Sequence, residues 1–336
     1  MRYNRVCVIG TPYNLLFNLL IASDAELDNT YYFIQDTLPD SITQNLGEKN
    51  VIKLPVTLTK IQWLYYTIKY RYLSIICCPF LNKVRIYAQD HLHFSPIIIG
   101  RRNYIYTEDG PNCLELFEKV DSVKKKWDKH LSKNIIQKLY SKLFNPLDGE
   151  IAGHNKMCKE VWLSGNAGLK IPKYISGKKI HIVNLQLIWN TLSAFKKNFI
   201  YKVFNISSKD TDILKHKKII LLTQPFYDYG FLTLEEHIDI YKKILTHYDE
   251  NLVVIKTHPR DTINYQQYFP NIHLFNKIVP FQLLLLSGIK FEKAATVFSS
   301  SVYGLQNTIS VDWYGTKIHP KIEKAFGDIK YKANQQ

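Results

Sequence analysis

Apolar and polar positions follow the same pattern twice along the chain. Arg5–Gly10 (RVCVIG) is a short continuous apolar run that ends in the polar turn Thr11-Pro12-Tyr13-Asn14. A helix-like apolar run, Leu15–Ala22, comes next. Strand, short turn and helix in that order open a doubly wound α/β domain. Further strands are predicted at Thr30–Gln35, Asn50–Leu54, Lys83–Ala88, Asn103–Thr107, Glu160–Leu163 and Lys179–Asn184. Thr57–Leu73 reads as a helix in which tyrosines and Trp63 mix with Lys60, Lys69 and Arg71. Such a helix either packs on a sheet or lies on a membrane surface or a sugar. Val120–Leu147 is helical and strongly basic, either a solvated face or a contact for anionic lipid.

After the apolar-basic segment Leu185–Phe204 and the polar stretch Asn205–Asp212, the pattern restarts. Lys218–Thr223 is a strand, Gln224–Gly230 a loop, Thr233–His247 a helix and Leu252–Thr257 a strand. Pro280–Leu286 is helical, Thr296–Ser299 is a strand end, and Ser300–Gln306 begins another helix. The expected class is therefore α/β with two Rossmann-type domains facing a central cleft. Residues 1–184 form the first, 185–212 an interdomain helix and linker, and 213–336 the second. In such folds ligands bind beyond the carboxyl ends of the strands.

Composition narrows the function. The 336 residues are 46% hydrophobic and 22% charged, which excludes a disordered, collagen-like or coiled-coil chain. The net charge of +15 favours anionic partners or simply a solvated surface. The five cysteines, Cys7, Cys77, Cys78, Cys113 and Cys158, lack metal-ligand spacing and read as reduced thiols. No apolar stretch is long enough to span a bilayer and no secretory signal is visible, so a cytoplasmic chain is expected, soluble or peripheral on the inner face of the membrane.

Three strand ends carry residue types that do chemistry. Glu108-Asp109-Gly110 follows an apolar strand; it is either an ordinary turn or a carboxylate projected as a general base. Lys256-Thr257-His258-Pro259-Arg260 places a histidine at the next such end, where a protonated imidazole would serve a phosphate leaving group. Ser299-Ser300-Ser301 supplies hydroxyls for a helix cap or a phosphate. Asp228, in the loop after KIILLT, is a reserve base. Asp210-Thr211-Asp212 imitates a metal-binding DxD signature but lies before a strand and reads as linker. Dinucleotide, P-loop and zinc-protease motifs are absent. So are nucleic-acid modules, and a basic non-enzymatic protein that binds anionic membrane or nucleic acid stays as the lesser alternative.

In this order the three segments resemble those of bacterial sialyltransferases, and more narrowly of glycosyltransferase family 52, the lipooligosaccharide sialyltransferase group. That family has a D/E-D/E-G motif, an HP motif and a later Ser-Ser motif. Thr11-Pro12-Tyr13-Asn14 and Leu222-Thr223-Gln224-Pro225 look like further family segments, so the resemblance spans residues 5–315. It implies a GT-B-like fold, a CMP-sialic acid donor, a glycan acceptor on a lipid anchor or capsule, and inversion without a required metal or cofactor. Asp109, or in its place Glu108 or Asp228, would be the base, and His258 the acid. Ser299, Ser300 and Ser301, with Lys256, Pro259 and Arg260, would hold the CMP phosphate and nucleotide. Thr11, Pro12, Tyr13, Asn14, Gly110 and Gln224 would line the cleft. Partners would be the donor, the acceptor, an anionic membrane surface and a second copy in a homodimer, but no nucleic acid. Another activated donor, such as a different nucleotide sugar or a CDP-polyol, would use the same phosphate site.

Overall fold

The computed structural model describes residues 3–76, 78–111, 152–165, 175, 177–303 and 308–331, the side chains of 78 and 79 excepted. The basic segment Val120–Leu147 and Cys113 lie outside them. The chain divides into two compact units, Met1–Val203 and Phe204–Gln336.

The first unit is built on a seven-stranded sheet. Its strands are β1 (Arg5–Ile9), β2 (Thr30–Gln35), β3 (Val51–Leu54), β4 (Arg85–Ala88), β5 (Tyr104–Thr107), β6 (Cys158–Ser164) and β7 (Lys179–Val183). They run parallel in the order β3-β2-β1-β4-β5-β6-β7. The chain steps outward from β1 to β3 and then resumes on the other side of β1 with β4. The switch point therefore falls between β1 and β4, where Val8 pairs with Ala88. Both β1 and β5 are buried along their whole length, as strands covered on both faces must be.

The second unit holds β8 (Ile219–Leu222), β9 (Val253–Lys256), β10 (His273–Phe275), β11 (Lys293–Thr296) and β12 (Ser310–Trp313). These are also parallel, in the order β10-β9-β8-β11-β12. Here the switch point lies between β8 and β11. In the register, Leu222 aligns with Lys256 on one side and with Thr296 on the other. The segments that follow these three residues therefore emerge side by side from one edge. The helix Leu234–Leu245, opened by a Thr233/Glu236 capping box, covers this sheet with Ile238, Tyr241 and Ile244.

Several expected elements shift. The helix α1 (Pro12–Ile21) begins at Pro12 instead of Leu15, because Thr11 caps it by accepting from the Asn14 N–H and Pro12 fits its first turn. Residues 185–204 do not form one interdomain helix. They form two, Leu185–Thr191 and Ala194–Val203, both within the first unit. The break is at Leu192–Ser193, where Ser193 Oγ accepts from the Lys196 N–H and restarts the helix. Lys196 then buries its ammonium against the carbonyl oxygens of Leu20 and Ala22. The polar stretch 205–212 is not a linker either, since Ser207 and Asp210 form a capping box that opens the helix Ser208–Lys215. Finally, Ser300–Val302 is a single 3-10 turn instead of the start of an α-helix. The strands β10 and β12 escape the sequence pattern because they are short and only partly buried.

Candidate active site

At the first switch point three strand ends converge: Gly10-Thr11 after β1, Gln89-Asp90-His91 after β4, and Glu108-Asp109 after β5. The two acidic residues separate there. Glu108 turns inward and is 2% exposed. It accepts from Tyr13 Oη at 2.5 Å, and Tyr13 Oη also lies 2.8 Å from Ser164 Oγ. Glu108 thus joins α1 to β5 and has no path to a substrate hydroxyl, which removes it as a base. Asp109 turns outward and keeps a third of its side chain exposed.

Asp109 is held from three sides. Thr11 Oγ1 donates to its carbonyl at 2.8 Å, Gln89 Nε2 donates to Oδ1, and His91 Nε2 lies 3.5 Å from Oδ2. Burial pushes the Asp109 pKa up, but the bonds and charge of His91, with those of Gln89 and Thr11, outweigh it and hold the carboxyl below its usual range. His91 moves the opposite way. Burial would lower it, and the Asp109 carboxylate overrides that and raises it. The two shifts have one cause, the attraction between ring and carboxylate across this contact. Gln89 is set in turn by Gly10, whose N–H donates to Gln89 Oε1 at 2.6 Å.

Under this pair runs a buried amide network. Asn14 Nδ2 donates to the Glu108 carbonyl at 2.7 Å and to Thr107 Oγ1 at 3.0 Å. Asn18, one helical turn on, donates to Thr107 Oγ1 at 3.2 Å and accepts from buried Arg5. The two asparagines fix α1 against β5, so the carboxylate loop has a rigid base. Asp90 serves structure: its carboxylate is fully buried and accepts from Tyr104 Oη and from the Ala152 and Gly153 N–H groups. Gly110 is partly exposed beside Asp109.

In the second unit, His258 leaves β9 in a turn that fixes its ring. Its N–H donates to Thr223 Oγ1 at 3.0 Å, and its Nδ1 accepts from the Arg260 N–H at 3.1 Å. A ring nitrogen that accepts a backbone N–H carries no proton, so the geometry assigns the Nε2–H tautomer. Burial, with the charges of Arg260 and Lys256, lowers the His258 pKa to about 4. The ring is therefore neutral at pH 7 and is not the protonated imidazole that the sequence suggests. Lys256 is 7% exposed, and burial lowers its own pKa to about 8.

Thr223 anchors this turn. Its hydroxyl donates to Asp261 Oδ2 at 2.7 Å, which Tyr265 Oη also reaches at 2.7 Å. Buried His237 Nε2 lies 2.5 Å from Tyr265 Oη. Since the tyrosine proton goes to Asp261, His237 is the donor in that bond. Asp228 accepts from Thr262 Oγ1 at 2.5 Å and from the Thr262 N–H at 3.3 Å, while Tyr229 Oη meets Arg260 Nη1 at 2.7 Å. The loop after β8 is thus tied to the His258-Pro259-Arg260 turn. Gln224 donates its N–H to Tyr241 Oη, and its own Oε1 is buried with no hydrogen-bond partner among the described residues. Across β8, Thr296 Oγ1 accepts from the Ser299 N–H at 3.0 Å. Ser299 makes a long cap to the Ser301 N–H, and Ser300 is exposed. Asp210 of the DxD-like triplet is spent on its capping box and on Lys277 Nζ at 2.6 Å.

The acidic segment follows β5 of the first unit and the HP segment follows β9 of the second. The fold adds Gln89, His91, Thr223, Asp261, Tyr265 and His237, which the sequence reading missed as site residues. The signals for two of them were the place of His91 just past the strand Lys83–Ala88 and that of Thr223 in the segment Leu222-Thr223-Gln224-Pro225.

Two Rossmann-like parallel sheets in one chain make a GT-B-like fold, and solved structures agree. The GT-B region of a sialyltransferase from Photobacterium damselae superposes with a TM-score of 0.52 at 13% identity, covering 88% of this chain and 86% of that one. A 2,6-sialyltransferase from Photobacterium sp. JT-ISH-224, solved with CMP and lactose, gives 0.59 at 11% identity over 92% of this chain and 71% of that one. At such identities the likeness establishes the fold. The glycosyltransferase family 52 profile matches residues 80–322, and the chain belongs to that family. An uncharacterized Haemophilus influenzae protein is 30% identical over 251 residues, 75% of this chain and 74% of its own length. This chain is a glycosyltransferase.

Proposed function

We propose that the chain is an inverting sialyltransferase that moves sialic acid from CMP-N-acetylneuraminate to a terminal galactose-type hydroxyl of a lipid-linked or capsular cell-surface glycan. The observation that carries this reading is His258, whose Nδ1 accepts from the Arg260 N–H so that its Nε2 is left as the donor, at the strand end that follows Lys256. The family and the sialyltransferase fold support it. The acceptor oxygen attacks the anomeric carbon of sialic acid from one face while the bond to the CMP phosphate breaks on the other. The acceptor proton passes to Asp109, ionised by its pairing with His91. CMP leaves as a phosphate whose second pKa is about 6, so at neutral pH it needs charge stabilisation more than a proton. His258 Nε2–H and the hydroxyls around Ser300 supply that as donors preorganised for the developing charge. No step calls for a metal.

One observation favours a second base. Asp228 lies in the same unit as His258 and close enough for its charge to act on that ring. Purified protein is mixed with CMP-N-acetylneuraminate and lactose or N-acetyllactosamine in EDTA, and CMP and sialylated product are measured. Product that His258→Ala abolishes supports the reading. CMP without product keeps the donor and changes the acceptor. Turnover of UDP-sugars or CDP-polyols instead would overturn it.

A further inference from the structure

The serine row has little of its own to hold it in place. Its one 3-10 turn, Ser300–Val302, is short, and two of its internal bonds are long. The Ser301 N–H reaches Ser299 Oγ at 3.4 Å, and the Val302 N–H reaches the Ser299 carbonyl at 3.5 Å. Bonds of that length weigh little. Two side chains from outside the turn fix it instead. Thr296, fully buried at the end of β11, accepts from the Ser299 N–H at 3.0 Å and donates to the Leu222 carbonyl at 3.3 Å. The second tie comes from Gln282, 19 residues back in the chain, whose Nε2 donates to the Ser301 carbonyl at 3.2 Å. Because that partner is a carbonyl, the amide must present its nitrogen. Gln282 is only 9% exposed and sits among the buried side chains of Phe281, Leu283 and Leu284. An amide in such a seat costs free energy unless a bond satisfies it.

We propose that Gln282 is a positioning residue: its bond to the Ser301 carbonyl sets the serine row for the phosphate of the nucleotide donor. The inference deepens the proposed reading, in which that row holds the CMP phosphate, and rests on it. Donors that serve a phosphate must be fixed before it arrives, so a row released at Ser301 binds it less well even with every hydroxyl still present. Gln282 acts through the row, so its loss should be felt by the phosphate and not by the nucleoside.

The test is titration of the full chain with CMP and, by competition, with cytidine, which lacks the phosphate. Gln282→Met keeps the length of the side chain and removes the donor. It should weaken CMP at least about tenfold, the weight of one hydrogen bond to a charged group, and leave cytidine within about twofold. Thr296→Val, which cuts the other tie, should do the same, and it decides the matter if Gln282→Met fails to fold. Ser300→Ala should also weaken CMP. Combined with Gln282→Met it should be no worse than the single Ser300→Ala within about twofold, since one row cannot be lost twice. Equal losses for CMP and cytidine would put Gln282 on the nucleoside itself and overturn the proposal, as would full multiplication of the two single effects. Wild type that binds no CMP would remove the phosphate reading of the row and the proposal with it. Wild type that binds CMP no better than Gln282→Met and Thr296→Val would remove the positioning role alone.

Discussion

A methyl group at Gly10 should damage the Asp109 site more than the fold. A Cβ there would lie 2.6 Å from Leu92 Cδ2 and 2.8 Å from Gln89 Oε1. Against ordinary contact from 3.4 Å, the first is short by about 0.8 Å and the second by about 0.6 Å. Both obstacles are side-chain ends, so the backbone of β1 stays and the side chains move. Overpacking of this kind costs about 1–3 kcal/mol. In a unit of this size that lowers Tm by about 2–10 °C. The atom driven away is the one that accepts the Gly10 N–H, and the same amide donates to Asp109. Rotating Gln89 frees one side of the carboxylate, and displacement by about 1 Å costs on the order of 100-fold in rate. Gly110 is the control. It adjoins Asp109 and belongs to the acidic motif, yet a Cβ there meets no described atom within 4 Å. Calorimetry and CMP release on Gly10→Ala and Gly110→Ala decide the matter. The first should lose about 100-fold in kcat with a moderate fall in Tm, and the second should stay within about threefold on both. If Gly110→Ala loses as much activity as Gly10→Ala, or if Gly10→Ala is silent, the geometric reasoning is wrong.

Because His258 is neutral above about pH 4, kcat/KM should not fall as pH rises through 6.5; an alkaline limb with an apparent pKa of 6–7 would show that an imidazolium does the work. His237 is fully buried and burial lowers its pKa to about 4, so the unfolded chain binds a proton between about pH 6.5 and 4 that the folded chain refuses. Stability should therefore hold above pH 6.5 and fall by about 3 kcal/mol from this residue as pH drops to 4, a slope that urea titrations of His237→Gln would show flattened. Asp109→Asn should cut turnover by about 100-fold or more and Asp228→Asn by less than about tenfold, and the reverse order in initial rates would move the base to the second unit.

Much of this protein was legible in its order of residues. Continuous apolar runs such as Arg5–Ile9 and Ile219–Leu222 make buried parallel strands wherever they fall, because only burial on both faces suits them. Local chemistry set the caps: Thr11, Ser207 and Thr233 each satisfy a free helix N–H with the side chain next to it. The strand ends also marked where polar chemistry would gather, since parallel sheets expose their carboxyl edges together. Tertiary structure decided what each polar residue there became. Glu108 and Asp109 are adjacent in sequence and similar in chemistry. The first was spent on Tyr13, 95 residues away, and the second was left for His91 and Gln89. His258 was legible as a histidine after a strand. That it is neutral, with its proton on Nε2, follows from the Arg260 turn and from burial beside Lys256. That the helix Lys60–Ile76 leaves Ile61, Leu64 and Ile68 exposed was equally hidden, because periodicity gives the faces of a helix without saying which of them the sheet will take.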